Sequence, residues 1–182
     1  MKLCGIDEAG RGPLAGPLCF AGCILTAEIK GLNDSKKLTE KKREALFDEV
    51  LANSVYHIVW HSAKEIDTLG ISACIKRSLL EIKNAISADK YLFDGNSKFG
   101  VDGLETLVKA DTLVQEVMAA SIIAKVSRDR LMVELDAKYP QYGFAGHKGY
   151  GTAAHIEAIR AHGVSDIHRE SFKPKKLQNT LF

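Results

Sequence analysis

Apolar positions change period several times along the chain, and each change marks an element. Residues 2 to 7 and roughly 17 to 26 are short apolar runs, read as two strands of a hairpin whose connection holds Gly10, Gly12, Pro13, Gly16 and Pro17. From Thr39 to about Asn53 the spacing of Ala45, Leu46, Val50 and Leu51 predicts an amphipathic helix with Thr39 as N-cap, and Val55 to Trp60 reads as the next strand. Ser62 and Glu65 stand at capping-box spacing before a short helix that Gly70 interrupts, after which Ile71, Ile75, Leu79, Ile82 and Ile86 continue at helical spacing. Lys90 to Asp94 is a further strand. Thr112 and Gln115 repeat the capping-box spacing ahead of a long helix through Val117, Ile122, Val126 and Leu131 to about Lys138, and a last helix covers Ala153 to Ala161 with Gly163 ending it. Strands first, then helices mixed with strands, predict an α/β domain whose mixed, partly antiparallel central sheet is flanked by helices.

Composition adds limits to that picture. A chain of 182 residues, 46% hydrophobic and 26% charged, suits one domain over residues 1–172 followed by a basic, exposed tail at 173–182. No run approaches the roughly 18–20 apolar residues of a membrane span. The start at Met1 to Gly5 also lacks the features of a signal peptide, so a cytoplasmic, monomeric protein with no membrane partner is expected. Cys4, Cys19, Cys23 and Cys74 form no C-x-x-C pair and have no histidine at zinc-finger spacing. They read as buried free thiols, with a Cys19/Cys23 redox role left open. The net charge of +2 is uninformative about nucleic acid. The local clusters matter more: Lys36, Lys37, Lys41, Lys42 and Arg43; Lys125, Arg128 and Arg130; Lys173, Lys175 and Lys176.

Four acids stand out. Asp7 follows the apolar Leu3, Cys4 and Ile6, and Asp94 follows Tyr91, Leu92 and Phe93, so both fall at the carboxyl ends of core strands, where α/β sheets place ligands. Asp111 precedes the helix expected from Thr112, and Glu8 adjoins Asp7. Each alone has a plainer explanation, a turn former or a helix-dipole partner. Neighbouring strand residues point to opposite faces, so Asp7 and Glu8 share a site only where the strand stops or bends. Clustered carboxylates repel, and a hard cation, Mg²⁺ or Mn²⁺, relieves that repulsion. An oxygen-rich, histidine-poor set of this kind suits metal-assisted hydrolysis of a phosphodiester. The chain has no H-E-x-x-H motif and no G-x-S-x-G elbow, and its GRGPLAGP segment lacks the Gly-Lys-Ser/Thr end of a P-loop.

The segments GIDEAGRGPLAGP at 5–17, DSKKL at 34–38, YLFDGN at 91–96, KADTLVQEVMAASIIAKVSRDR at 109–130 and YPQYGFAGHKGYGTAAH at 139–155 closely resemble ribonuclease HII, the type 2 ribonuclease H of bacteria. The resemblance implies an RNase H-like catalytic domain over 1–172, with Asp7, Glu8, Asp94 and Asp111 as catalytic, metal-binding carboxylates for Mn²⁺ or Mg²⁺. It implies an endonuclease that uses metal-activated water on the RNA strand of RNA/DNA hybrids. The implied cut also falls 5′ of single ribonucleotides in duplex DNA, leaving 3′-hydroxyl and 5′-phosphate ends. Gly10, Arg11 and Gly12 match the family motif that recognises the ribonucleotide, glycine letting main-chain groups approach a 2′-hydroxyl. Tyr150 matches the tyrosine that packs at the RNA-to-DNA junction, and Lys36, Ser121, Lys125 and His147 are candidate contacts to phosphates or the attacking water. The tail residues Gln178, Leu181 and Phe182 are similar to the Q-x-x-L-F peptide with which bacterial proteins dock on the replication sliding clamp. The rival readings are a DNA-directed nuclease or resolvase of the same broad fold and a non-catalytic hybrid-binding protein.

Overall fold

Alternation along the first two strands builds the centre of the molecule. In the computed structural model, which describes residues 1–32 and 38–172, β1 (Leu3–Ala9) and β2 (Leu18–Leu25) pair antiparallel, from Gly5 opposite Cys23 to Ala9 opposite Cys19. β3 (Ser54–His61) pairs antiparallel with β2, β4 (Lys90–Asp94) runs parallel to β1, and β5 (Glu105–Leu107) runs parallel to β4. The order β3-β2-β1-β4-β5 is the mixed sheet expected from the patterning. Lys36, Lys37 and the tail residues Gln178, Leu181 and Phe182 lie outside the described residues.

Both sheet faces are covered, which explains the nearly unbroken apolar run of β2. Leu18, Phe20 and Ile24 join Cys4, Ile6 and Phe93 in the core beneath α2 (Ala63–Leu69) and α3 (Ile71–Ala85). Cys19, Ala21 and Cys23 project to the other face, beneath α1 (Glu40–Ala52) and α4 (Gln115–Lys138). Each fully buried Phe or Ile contributes roughly 1.5–3 kcal/mol. A third, smaller core joins Ala15 and Met132 to Tyr142 and to Phe144 of α5 (Phe144–His147), with Ile156 and Ile159 of α6 (Ala153–His162). This last core lies under the far side of the glycine-rich loop. All four cysteines are buried and free, and burial pushes the Cys4 and Cys23 thiols up to about 12, which makes them inert.

Local signals fared unevenly. Thr39 caps α1 by accepting from the Lys42 amide, and the Ser62/Glu65 box closes in both directions. Two readings need correction. On α1 the buried residues are Phe47 and Val50, while Ala45 is exposed. Thr112 does not cap α4: it ends a 3-10 turn, Ala110–Thr112, its hydroxyl donates to the Lys109 carbonyl at 2.8 Å, and α4 starts after Val114. Lys109 is left-handed (φ 61°), which coils the chain too tightly there for Thr112 to serve as an N-cap. Among the described residues no helix is long and apolar enough to cross a membrane.

Candidate active site

The site forms where β1 outruns β4. The last parallel pair is Ile6 with Phe93, so Asp7, Glu8 and Ala9 keep β2 on one side and lose β4 on the other. Sequence reasoning asked the strand to stop or bend at Asp7. Instead β1 continues through Ala9, with Asp7 opposite Ala21 and Glu8 opposite Phe20. The missing neighbour, rather than a bend, lets two adjacent acids border one cleft.

Alternation sends Asp7 and Asp94 to the α4 side of the sheet, and the 3-10 turn before α4 brings Asp111 to meet them. One carboxylate oxygen from each of Asp7, Asp94 and Asp111 lies within 4.8 Å of the others. Asp7 and Asp111 are buried, and Asp94 is half-buried, with its Oδ1 accepting from the Ala110 amide at 3.2 Å. Glu8 stands beside the trio rather than in it. Its Oε1 is 3.8 Å from Arg11, and its Oε2 is buried with no hydrogen-bond partner among the described residues.

The electrostatics are those of acids forced together. Burial first, then Glu8, raises the Asp7 carboxyl well above the ordinary range. Burial pushes Glu8 up to about 7, against the pull of Arg11, and Asp94 adds to the rise. Asp94 is raised by burial and then by Asp111. Three convergent oxygens and the unpartnered Oε2 of Glu8 fit a hard divalent cation, which would offset the charge of the cluster.

A cleft of about 420 Å³ opens over these acids. Its walls are Asp7, Glu8, Asp94, the Gly10–Gly12 loop, Ser121 and Lys125 of α4, and Tyr150. The structure thus gathers most of the expected residues. Lys125 pairs with Asp129 at 2.9 Å, and the exposed Arg11 guanidinium lies 5.7 Å from the Phe99 ring centre. His147 lies outside this lining. Its Nε2 donates to the Tyr142 carbonyl and its Nδ1 accepts from the Gly149 amide, so both ring nitrogens hold the chain and neither faces the cleft.

Two residues at this site escaped sequence reasoning in their real capacity. Arg128, read as part of a basic surface cluster, is 1% exposed and donates to the carbonyls of Pro17, Lys148 and Ala15. Arg169, which drew no notice, is 2% exposed and donates to those of Gly16, Arg11 and Gly10. Together they tie the glycine loop down by its own main chain. Arg130, the third member of that cluster's basic residues, is committed to Glu44.

Comparison with known proteins follows the same lines. The family model for ribonuclease HII matches residues 4–175. A ribonuclease HII of Sulfurovum sp. (strain NBC37-1) is 61% identical over 181 residues, 99% of this chain and 96% of that protein. Among solved structures, the PCNA:RNase HII complex from Archaeoglobus fulgidus superposes with TM-score 0.83 at 27% identity, covering 96% of each chain. The ribonuclease H2 from Pyrococcus horikoshii OT3 superposes with TM-score 0.79 at 30% identity, covering 95% of this chain and 94% of that one.

Proposed function

Because the chain belongs to the ribonuclease HII family, we propose that its carboxylate cleft cuts on the 5′ side of a ribonucleotide, including a single one embedded in duplex DNA, leaving 3′-hydroxyl and 5′-phosphate ends. At the coarser level the protein is a metal-dependent endoribonuclease with an RNase H-like fold, acting on RNA/DNA hybrids. The observation that carries the finer reading is the convergence of three aspartates at a cleft that the Gly10–Gly12 loop and Tyr150 also line.

Asp7, Asp94 and Asp111, with Glu8 beside them, would hold Mg²⁺ or Mn²⁺. When bound, the cation supplies Lewis acidity toward a phosphodiester and offsets charge that builds on the departing oxygen. The remaining work falls to the chain's own groups. Main-chain atoms of the Gly10–Gly12 loop border the cleft, where they would sense a 2′-hydroxyl, with no side chain at Gly12 to hold the ribose off. The half-exposed Tyr150 ring packs against the sugar and base that follow. Lys125 and Ser121 line the path of the phosphate, adding affinity without sequence preference.

Cleavage of a duplex with one ribonucleotide, set beside its all-DNA twin with Mg²⁺ and then Mn²⁺, tests this reading. Cutting of the ribonucleotide duplex alone supports it, and equal cutting of both removes it in favour of a DNA-directed nuclease.

The tail forms a second part of the proposal. Gln178, Leu181 and Phe182 dock residues 173–182 on a sliding clamp, Leu and Phe filling an apolar pocket and Gln meeting its polar rim. The A. fulgidus relative solved in complex with PCNA supports such docking in this family. Deleting residues 178–182 should abolish clamp binding while leaving hybrid cleavage intact, and unchanged clamp binding would sink the idea.

A further inference from the structure

The glycine loop and Tyr150 are separated by over a hundred residues, yet both are anchored to one short segment near the end of the described chain. Residues 167–169 lie antiparallel to residues 14–16: Ala15 bridges to His168, the Gly16 amide donates to the Ile167 carbonyl, and the Arg169 amide donates to that of Leu14. The side chains of His168 and Arg169 then serve different walls of the cleft. Arg169 sends Nε to the Gly16 carbonyl at 3.0 Å, Nη1 to Arg11 at 3.1 Å and Nη2 to Gly10 at 2.5 Å. Burial and the nearby Arg128 draw Arg169 down to about 9, which leaves it charged at neutral pH.

His168 works through a relay. The Ser165 amide donates to His168 Nδ1 at 2.9 Å, so that nitrogen is an acceptor and the ring proton sits on Nε2. Nε2 faces His155 Nε2 at 3.0 Å, which must therefore accept. The His155 proton is thereby placed on Nδ1, and Nδ1 meets the Tyr150 carbonyl at 2.9 Å, a group that can only accept. Every donor in the chain finds an acceptor, and one tautomer of each ring is selected. His147 stacks on His155 at 4.3 Å, and Tyr142 meets the His168 ring edge-on at 4.8 Å, so neither ring can turn. The relay needs neutral imidazoles, and burial with His155 holds His168 down at about 4.

We propose that His168 and Arg169 are positioning residues that set the spacing between the Gly10–Gly12 loop and Tyr150, and through it the enzyme's selectivity for a ribonucleotide in duplex DNA. Neither lines the cleft, so both act through the main chain of residues that do. The proposal rests on the ribonucleotide reading above.

The test uses Arg169→Gln, Arg169→Lys and His168→Asn in the full chain. The asparagine amide can still accept from Ser165, but it is too short to reach His155. For each variant, kcat and KM are measured on the single-ribonucleotide duplex and on a long RNA/DNA hybrid, with Mn²⁺ affinity measured by calorimetry. Displacement of either wall should lower kcat/KM on the single-ribonucleotide duplex roughly 10- to 100-fold more than on the hybrid. Mn²⁺ affinity should be unchanged, and Arg169→Lys should recover part of the selectivity. A purely structural role would depress both substrates and Mn²⁺ binding together, and that result overturns the proposal. So does a wild-type selectivity ratio in folded variants. Should Arg169→Gln fail to fold, His168→Asn decides alone. Failure of the ribonucleotide reading shows separately, as wild-type protein cutting the all-DNA twin equally well.

Discussion

Gly5 of β1 lies against Glu116 of α4 so closely that a Cβ on the glycine would stand 2.3 Å from the Glu116 carbonyl carbon and 2.4 Å from the Val117 amide nitrogen. The contact is backbone to backbone, and no rotamer change relieves it. It fixes the height of α4 above the strand that carries Asp7, and so the distance from Asp7 to the turn that carries Asp111. Gly5→Ala should cost about 3 kcal/mol, the upper part of the overpacking range. In a domain of this size that lowers the melting temperature by roughly 6–12 °C. Scanning calorimetry reads it directly.

Gly10 and Gly12 should part company under the same substitution. Gly10 is left-handed (φ 89°), and a Cβ there would meet Arg128 Nε at 2.0 Å and the Pro17 carbonyl oxygen at 2.7 Å. Gly12 has an ordinary backbone and no atom within 4 Å of a Cβ. Gly10→Ala is therefore expected to lower both stability and activity. Gly12→Ala should leave the melting temperature unchanged and still weaken cleavage of the single-ribonucleotide duplex, by roughly 10-fold or more, because the methyl would occupy the space the sugar needs. Full activity of Gly12→Ala would remove the argument for close main-chain approach at that residue.

The acids make stability depend on pH in a defined direction. Glu8 and Asp94 bind their protons more tightly in the folded chain than when exposed, Glu8 holding its proton up to about 7. The stability this contributes is fully present below the ordinary carboxylate range and is lost as pH rises through about 7. Replacing one acid removes part of the repulsion that remains. Without divalent cation, Asp94→Asn should melt above the wild type near pH 8 and converge with it as pH falls below the ordinary carboxylate range. Comparing the two proteins cancels the contribution of the buried histidines. Thermal melts across that pH range would show the gap opening upward, and a gap opening toward acid would contradict the assignment.

Much of this was legible in the sequence because it was local. The apolar strand runs, the Thr39 cap, the Ser62/Glu65 box and the helix stops at Gly70 and Gly163 act within a few residues, and all four formed. Asp7 and Asp94 stood out because each follows an apolar run, Glu8 because it adjoins Asp7, and Asp111 because it precedes an expected helix start. What failed was non-local or too short to have a period. β5 has three residues and α5 has four, the latter starting after the left-handed Gly143 and followed by the left-handed Lys148. The Thr112/Gln115 spacing was overruled by a left-handed Lys109. Arg128 was grouped with a basic cluster and Arg169 went unnoticed because their partners are carbonyls, which carry no residue identity and lie up to 159 positions away in the chain. For His147, read as a candidate contact to phosphate or the attacking water, the sequence did not show that both ring nitrogens bond main-chain groups two and five residues away.

Calorimetric titration of Mn²⁺ into the wild type and into Asp94→Asn is the most direct measurement of whether the aspartate cluster is a cation cradle. With Asp7, Asp94 and Asp111 converging within 4.8 Å, the wild type should bind Mn²⁺ and the variant should bind it more than roughly 10-fold more weakly while remaining folded. Equal affinity in the two proteins would contradict the cradle and, with it, the catalytic assignment of these residues.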